Sequence, residues 1–273
     1  MRELANANGD TCAVLRAFSE DGQTWAIPVA WRCSAEGLPS EDEFHEALGA
    51  LIVECQSEGA LSIGTRVTTH SDGVSDEMTS ERAAFHRGAL IAYGFERGED
   101  RVEYRMELRE ALKVTDGWAN LPTLKWKPID SASEADVAWA GTLYRQACVG
   151  DPSEDPNEDP LGFVRMHLAD EDIVQTPSPV QIGMCDDQAA VFLALSVDPN
   201  DGWSSVHYLG VLPPFRGRGI GLAAMKKGLQ LLQSMGGELY HDGTAAENTA
   251  ARALFERLGR SPFRTMEEWR LVT

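Results

Sequence analysis

Residues 211–221 read Val-Leu-Pro-Pro-Phe-Arg-Gly-Arg-Gly-Ile-Gly. An apolar run with strand character, Val206–Leu212, leads into this stretch, and a helical pattern, Leu222–Ser234, leads out of it. The glycines Gly217, Gly219 and Gly221 put no Cβ between the backbone and a ligand. The amides that follow open a helix, so they have no acceptor within it and point outward. A helix start of this kind is an anion site, and phosphate is its usual occupant. Arg216 and Arg218 add charge and donors. Taken alone, three glycines ahead of a helix also fit a plain strand-to-helix turn. A dinucleotide fingerprint would need the order Gly-x-Gly-x-x-Gly and an acid about 20 residues on. The order here is Arg216-x-x-Gly219-x-Gly221.

That order, with Val211 and Pro213 ahead of it, resembles the acetyl-CoA pyrophosphate loop of the GNAT superfamily of N-acetyltransferases. The resemblance implies a second part: an Asn that opens a later helix, an aromatic residue seven positions on, then Leu-Gly. Asn248, Phe255, Leu258 and Gly259 stand in that arrangement. The resemblance covers roughly residues 122–273. It implies that the backbone of Arg216, Gly217, Arg218, Gly219, Ile220 and Gly221 holds the pyrophosphate of acetyl-CoA. It implies that Leu209 and Val211 hold the pantetheine arm, with the Val211 amide donating to the thioester oxygen. Asn248 and Phe255 would meet the cofactor from the second helix. Lys226 and Lys227 fit either the adenosine phosphates or a solvated helix face.

The reaction that the family implies is direct attack of an amine on the thioester. It needs a base for the amine and tolerates, or protonates, a leaving thiolate. His207 lies four residues ahead of Val211, and period-two alternation puts His207, Leu209 and Val211 on one face. In the arylalkylamine branch of the family a His at this spacing serves in amine deprotonation. An imidazole with an ordinary pKa near 6.5 suits that work. The alternatives are a packed strand histidine and a proton relay through water. The usual thiolate acid of the family is a Tyr at the place of Phe255, and Phe has no proton to give. Tyr208 and Tyr240 are the nearest phenols, and Tyr240 is the catalytic candidate because Tyr208 is expected on the face opposite His207. His241, next to Tyr240, is also possible.

The chain has 273 residues, 24 Lys and Arg, 43 Asp and Glu, and a net charge of −19. That length suits two domains. The acidity argues against nucleic acid as a partner, yet the stretch 210–264 holds eight basic residues against four acidic ones. Local charge dominates what a bound anion feels at a screening length of about 8 Å. No apolar run approaches the roughly 20 residues of a membrane span, and no secretory leader is visible. Five scattered cysteines without a Cys-x-x-Cys suggest reduced thiols and a cytoplasmic protein. No metal-ligand spacing is present, so no metal is expected. The partner expected is a small-molecule amine, with the protein a monomer or homodimer.

Residues 43–109 read as a weaker copy of residues 221–271. In the later copy a helix (222–234), Gly237, a strand (238–242), a helix (248–258), Gly259 and a strand (264–272) follow in order. The earlier copy runs helix 44–57, Gly59, strand 61–68, helix 79–92, Gly94, strand 101–108. Aligned through Gly59 and Gly237, the loop Arg216–Gly221 falls on Leu38–Glu43, which has no glycine and three acids. Ser40 and Glu43 there read as a capping box. A chance strand-helix-strand similarity is the alternative. The fold expected is α/β (α+β): tandem GNAT-like folds, each a mixed, mostly antiparallel twisted sheet flanked by helices. Residues 1–115 would be a degenerate module without a CoA loop, residues 122–273 the acetyl-CoA-binding module, and residues 116–124 the linker. The acidic segment Asp151–Pro160 cannot form a regular element. It could attract a cationic amine or be a solvated loop.

Overall fold

The computed structural model describes residues 1–19, 23–31, 38–70, 76–152, 159–170 and 172–273. They form two compact units, Met1–Val102 with Pro262–Thr273, and Glu103–Ser261.

In the first unit β1 (Arg2–Ala5), β2 (Thr11–Leu15) and β5 (Val29–Trp31) make a small antiparallel sheet. A second sheet takes β3 (Phe18–Ser19), β4 (Thr24–Ala26), β6 (Ser62–His70), β13 (Arg264–Val272) and the opening residues of β7 (Glu96–Glu107), in that order. Alternate residues of β6 and β13 face two helices, α1 (Glu41–Ser57) and α2 (Asp76–Ala92). Ile63, Val67 and Trp269 join Phe44, Leu48 and Leu51 of α1 and Ala89 and Leu90 of α2 in one buried cluster. Charge also enters this layer. Glu267, 6% exposed, receives two Nε contacts and one Nη2 contact from Arg87 of α2 at 2.8–3.1 Å. The start of α1 is the capping box expected. Glu43 donates its amide to Ser40 Oγ at 3.2 Å, and Ser40 donates to the Glu43 carboxylate at 2.9 Å. This helix start is therefore satisfied by its own side chains, with acids in its first turn.

The second unit carries the closing residues of β7 and α3 (Leu108–Asp116). Then come β8 (Lys125–Pro128), α4 (Glu134–Ala147), α5 (Pro160–Ala169), β9 (Val180–Cys185), β10 (Gln188–Val197) and β11 (Trp203–Val211). They are followed by α6 (Ile220–Ser234), β12 (Leu239–Ala245) and α7 (Thr249–Arg257). The sheet order from β7 is β12-β11-β10-β9-β8. The pairs β11-β10, β10-β9 and β9-β8 are antiparallel, and β11-β12 is parallel. The mixed, mostly antiparallel sheet with flanking helices is thus present. Ser133 caps α4, and Asp159 with Pro160 opens α5. Of the acidic segment, residues 153–158 lie outside the described residues.

The helices and strands of both copies of the repeat occur close to the expected positions. Their closing strands change places. β13 follows the later copy in sequence but pairs in the first unit, with nine register pairs against β6. The end of β7 follows the earlier copy and belongs to the second unit. The stretch 116–124, expected as a linker, falls inside the second unit, between α3 and β8.

Candidate active site

The loop after β11 is built around two left-handed residues. A 3-10 turn, Pro213–Phe215, is followed by Gly217 at φ 73° and Gly219 at φ 75°. A side chain at either would be strained. Nothing lies within 4 Å of where a Gly217 Cβ would stand. Gly219 is the N-cap of α6 and offers no side-chain acceptor. The first amide donated back is that of Ala223, to the Gly219 carbonyl at 3.2 Å. The helix therefore begins at Ile220 and Gly221 without a side-chain cap, where α1 begins with one. Arg216 is exposed but folds back on the backbone. Its Nε donates to the Val211 carbonyl at 2.8 Å and its Nη2 to the Ala147 carbonyl at 2.9 Å. Arg218 stays exposed, its guanidinium 5.6 Å from the Phe215 ring centre. Lys226 takes a place that its sequence position did not suggest. It donates to the Thr115 carbonyl at 2.9 Å and so closes the C-terminus of α3.

Upstream of this loop the sheet opens. β11 and β12 are in register only at Trp203↔Leu239 and Ser204↔Tyr240. Beyond those pairs the two parallel strands diverge. The Leu212 amide donates to the Ala190 carbonyl of the neighbouring segment at 2.9 Å. The alternation of an antiparallel ladder then turns the N–H and C=O of Leu209 and the N–H of Val211 toward the other edge, the open one, where the Val211 carbonyl already accepts from Arg216. The loop, the bare start of α6 and the free edge of β11 are contiguous. They fit an extended ligand that ends in a pyrophosphate.

The expected alternation of His207 with Leu209 and Val211 does not hold. Val211 faces α6, its Cγ2 3.7 Å from where a Gly221 Cβ would lie. A register shift in the β10–β11 pairing, where two residues of β11 stand opposite Leu195, re-aims His207. His207 accordingly meets α5, and Tyr208 meets both α4 and α5. His207 is exposed. Its ring centre lies 4.5 Å from that of buried His167 on α5, nearly perpendicular, and 6.0 Å from that of Phe163. Tyr208 is buried edge-on to Tyr144.

Tyr240 is fully buried. Its phenol donates to the Asp242 carboxylate at 3.0 Å and touches Met225 Sδ of α6 at 3.7 Å. Burial, with Asp242 beside it, holds the phenol well above its ordinary range. Asp242 also accepts the Gly243 amide at 2.9 Å and is bonded to the Ser205 side chain of β11. Asp242 retains some accessible surface, yet its carboxyl is largely desolvated, and this pushes its pKa up to about 7. On the other side of β12, His241 is fixed as one tautomer. Its Nδ1 accepts the Trp203 indole N–H at 3.0 Å, so Nε2 carries the proton toward Glu103 at 2.8 Å. Neither Asp242 nor Glu103 stands in a motif.

Asn248 and Phe255 are both turned into the protein. Asn248 caps α7, accepting the Ala251 amide at 3.0 Å, and donates to Asp151 at 3.0 Å. Phe255 stacks on Tyr104 of β7 with ring centres 4.3 Å apart. The Tyr104 phenol is buried and faces Arg252 of α7. The structure thus brings Leu209, Val211 and the loop 216–221 together on one edge, with Tyr240 beneath α6 and His207 toward α5.

Residues 145–259 match the model of the acetyltransferase (GNAT) family. No curated protein sequence matches the chain. Among solved structures, a tandem GNAT protein from the clavulanic acid biosynthesis pathway is similar, with a TM-score of 0.61 and 14% identity. That match covers 97% of this chain and 80% of the other. A GCN5-related N-acetyltransferase from Sphaerobacter thermophilus has a TM-score of 0.59 and 13% identity over 98% and 79% of the two chains. One from Kribbella flavida has a TM-score of 0.58 and 14% identity over 96% and 88%. At these identities the likeness is one of fold. No described helix is long and apolar enough to cross a membrane. Residues 145–259 are thus an acetyltransferase domain of the GNAT family, set in a chain whose fold is similar to that of a tandem GNAT protein.

Proposed function

We propose that the protein transfers an acetyl group from acetyl-CoA to the primary amine of a small molecule or amino-acid-like acceptor, acting in the cytoplasm as a monomer or homodimer. The observation that carries this reading is the uncapped start of α6, with two left-handed glycines, at the end of a strand with a free edge. Bound there, acetyl-CoA supplies an activated acetyl thioester. The amides of Gly217–Gly221 hold its pyrophosphate. Leu209 and Val211 align its arm, and α7, capped by Asn248 and packed through Phe255, borders the site. The first half, residues 1–115, would be the degenerate module, since the capped start of α1 offers acids where α6 offers free amides. Residues 122–273 would be the binding module. His207, exposed beside α5, takes the amine proton directly or through one water.

A second reading, a CoA-binding sensor without turnover, is favoured by one observation. Phe255 stacks on Tyr104 where the family pattern has a proton-donating Tyr. Two measurements decide between them. Calorimetry should give one acetyl-CoA per chain, and two sites would sink the assignment of the first half. A panel of small primary amines should release CoA thiol, and His207→Ala should lower that rate by about 10² to 10⁴ with acetyl-CoA affinity unchanged. The rising limb of the wild-type pH profile should vanish in the variant. Binding without release for any amine would favour the sensor.

A further inference from the structure

The sulfur that departs on acetyl transfer leaves as a thiolate, and Phe255 has no proton for it. One carboxyl stands at the opening between β11 and β12. Asp242 lies two residues beyond the last register pair, Ser204↔Tyr240. Tyr240 and Gly243 bond to it from its own strand, and Ser205 bonds to it from β11. The carboxyl therefore bridges the two strands at the point where they part. A pantetheine arm spans about five extended residues. An arm held along β11 from the loop by Leu209 and Val211 would reach the level of the bulge, where Ser205 and Asp242 stand. We propose that Asp242 is the acid that gives a proton to this sulfur, taking the part that a tyrosine at position 255 would play; the proposal rests on the acetyl-transfer reading above.

The environment suits the task. Burial is the largest influence on Asp242 and raises its pKa to about 7, which favours retention of the proton well above the ordinary carboxylate range. The groups bonded to it are the Tyr240 phenol, the Ser205 hydroxyl and the Gly243 amide, while His241, its neighbour in the chain, lies on the other side of β12. Tyr240 keeps its own proton far above neutrality, so it orients Asp242 and does not replace it. The step balances. The acceptor nitrogen forms its bond to the acetyl carbon as the carbon–sulfur bond breaks. The surplus nitrogen proton goes to His207 or its water. The sulfur takes the Asp242 proton, and the carboxylate recovers one from solvent.

The test has a spectroscopic and a kinetic arm. The Asp242 carboxyl carbon, assigned through its backbone, is titrated by NMR in the free protein, with CoA and with desulfo-CoA. CoA should move the titration midpoint, and desulfo-CoA, which lacks the thiol, should not. CoA that binds with no such difference overturns the proposal and leaves the acetyl-transfer reading standing. A protein that binds no CoA overturns both. In turnover, Asp242→Asn should lower the rate by about 10- to 100-fold at unchanged acetyl-CoA affinity. It should also abolish the fall in rate above about pH 7, because the acid must be protonated to act. Adding Phe255→Tyr to that variant should restore most of the rate. An Asp242→Asn protein that keeps its rate and its high-pH limb refutes the assignment.

Discussion

Two glycines, two positions apart, separate strain from space in the loop after β11. Gly219 has a left-handed backbone, while Gly221 is helical and its added Cβ would meet Leu254 and Val211 at an ordinary 3.7 Å. Gly219→Val should weaken acetyl-CoA binding by about 100-fold or more, equivalent to ~3 kcal/mol. It should also cost the fold about 1–2 kcal/mol from the left-handed conformation. Gly221→Ala should leave the fold intact and slightly firm up α6. Calorimetry and thermal denaturation of the two variants would check both expectations. The loop residues were legible in the sequence because glycine spacing encodes backbone freedom directly. His207 was legible as a residue but not in its facing, because a bulge does not show in an alternating pattern. Asp242 and Glu103 were not legible at all. Their chemistry comes from burial and from partners on other strands, and neither leaves a local mark.

At the scale of elements, helices were read well where caps and apolar spacing coincide, as at Ser40, Ser133 and Asn248. α3 has the same spacing, with Leu108, Ala111, Leu112 and Thr115 buried, but it follows directly on β7 without a side-chain cap, and the repeat offers no counterpart for it. The short strands β1–β5 carry too few residues each for a periodicity to emerge. The best-defined tie between elements of the first unit is the Arg87–Glu267 pair, which joins α2 to β13. Glu267 is buried, so removing Arg87 leaves it only Arg97, at 3.4 Å, and the Trp269 indole N–H, at 3.3 Å. Arg87→Met should destabilise the first unit by about 2–4 kcal/mol. Adding Glu267→Gln should recover part of that loss. Chemical denaturation of the single and double variants would measure the coupling.

For the molecule as a whole, sequence order and spatial membership part company at the closing strands. The alternation of a strand encodes which face is buried, not which strand it lies beside. Hence the repeat could be seen in the sequence, while the destination of β13 could not. A chain cut after Ser261 keeps the whole acetyltransferase-family match, residues 145–259, yet removes the strand that pairs with nine residues of β6. Such a truncation should make residues 1–102 sensitive to limited proteolysis while much of residues 103–261 stays protected. Equal protection of both would contradict the partition.

The exchange also sets a timetable. During synthesis β6 is complete at residue 70, but its neighbour begins only at residue 264. At about 5–20 residues per second the ribosome needs roughly ten to forty seconds to span that interval. Throughout it, one side of β6 presents unpaired amides and carbonyls to the cell. Another nascent chain could offer a strand to the same edge. Slow translation of the second half would therefore tax the first half, and holding that edge during synthesis is work suited to a chaperone.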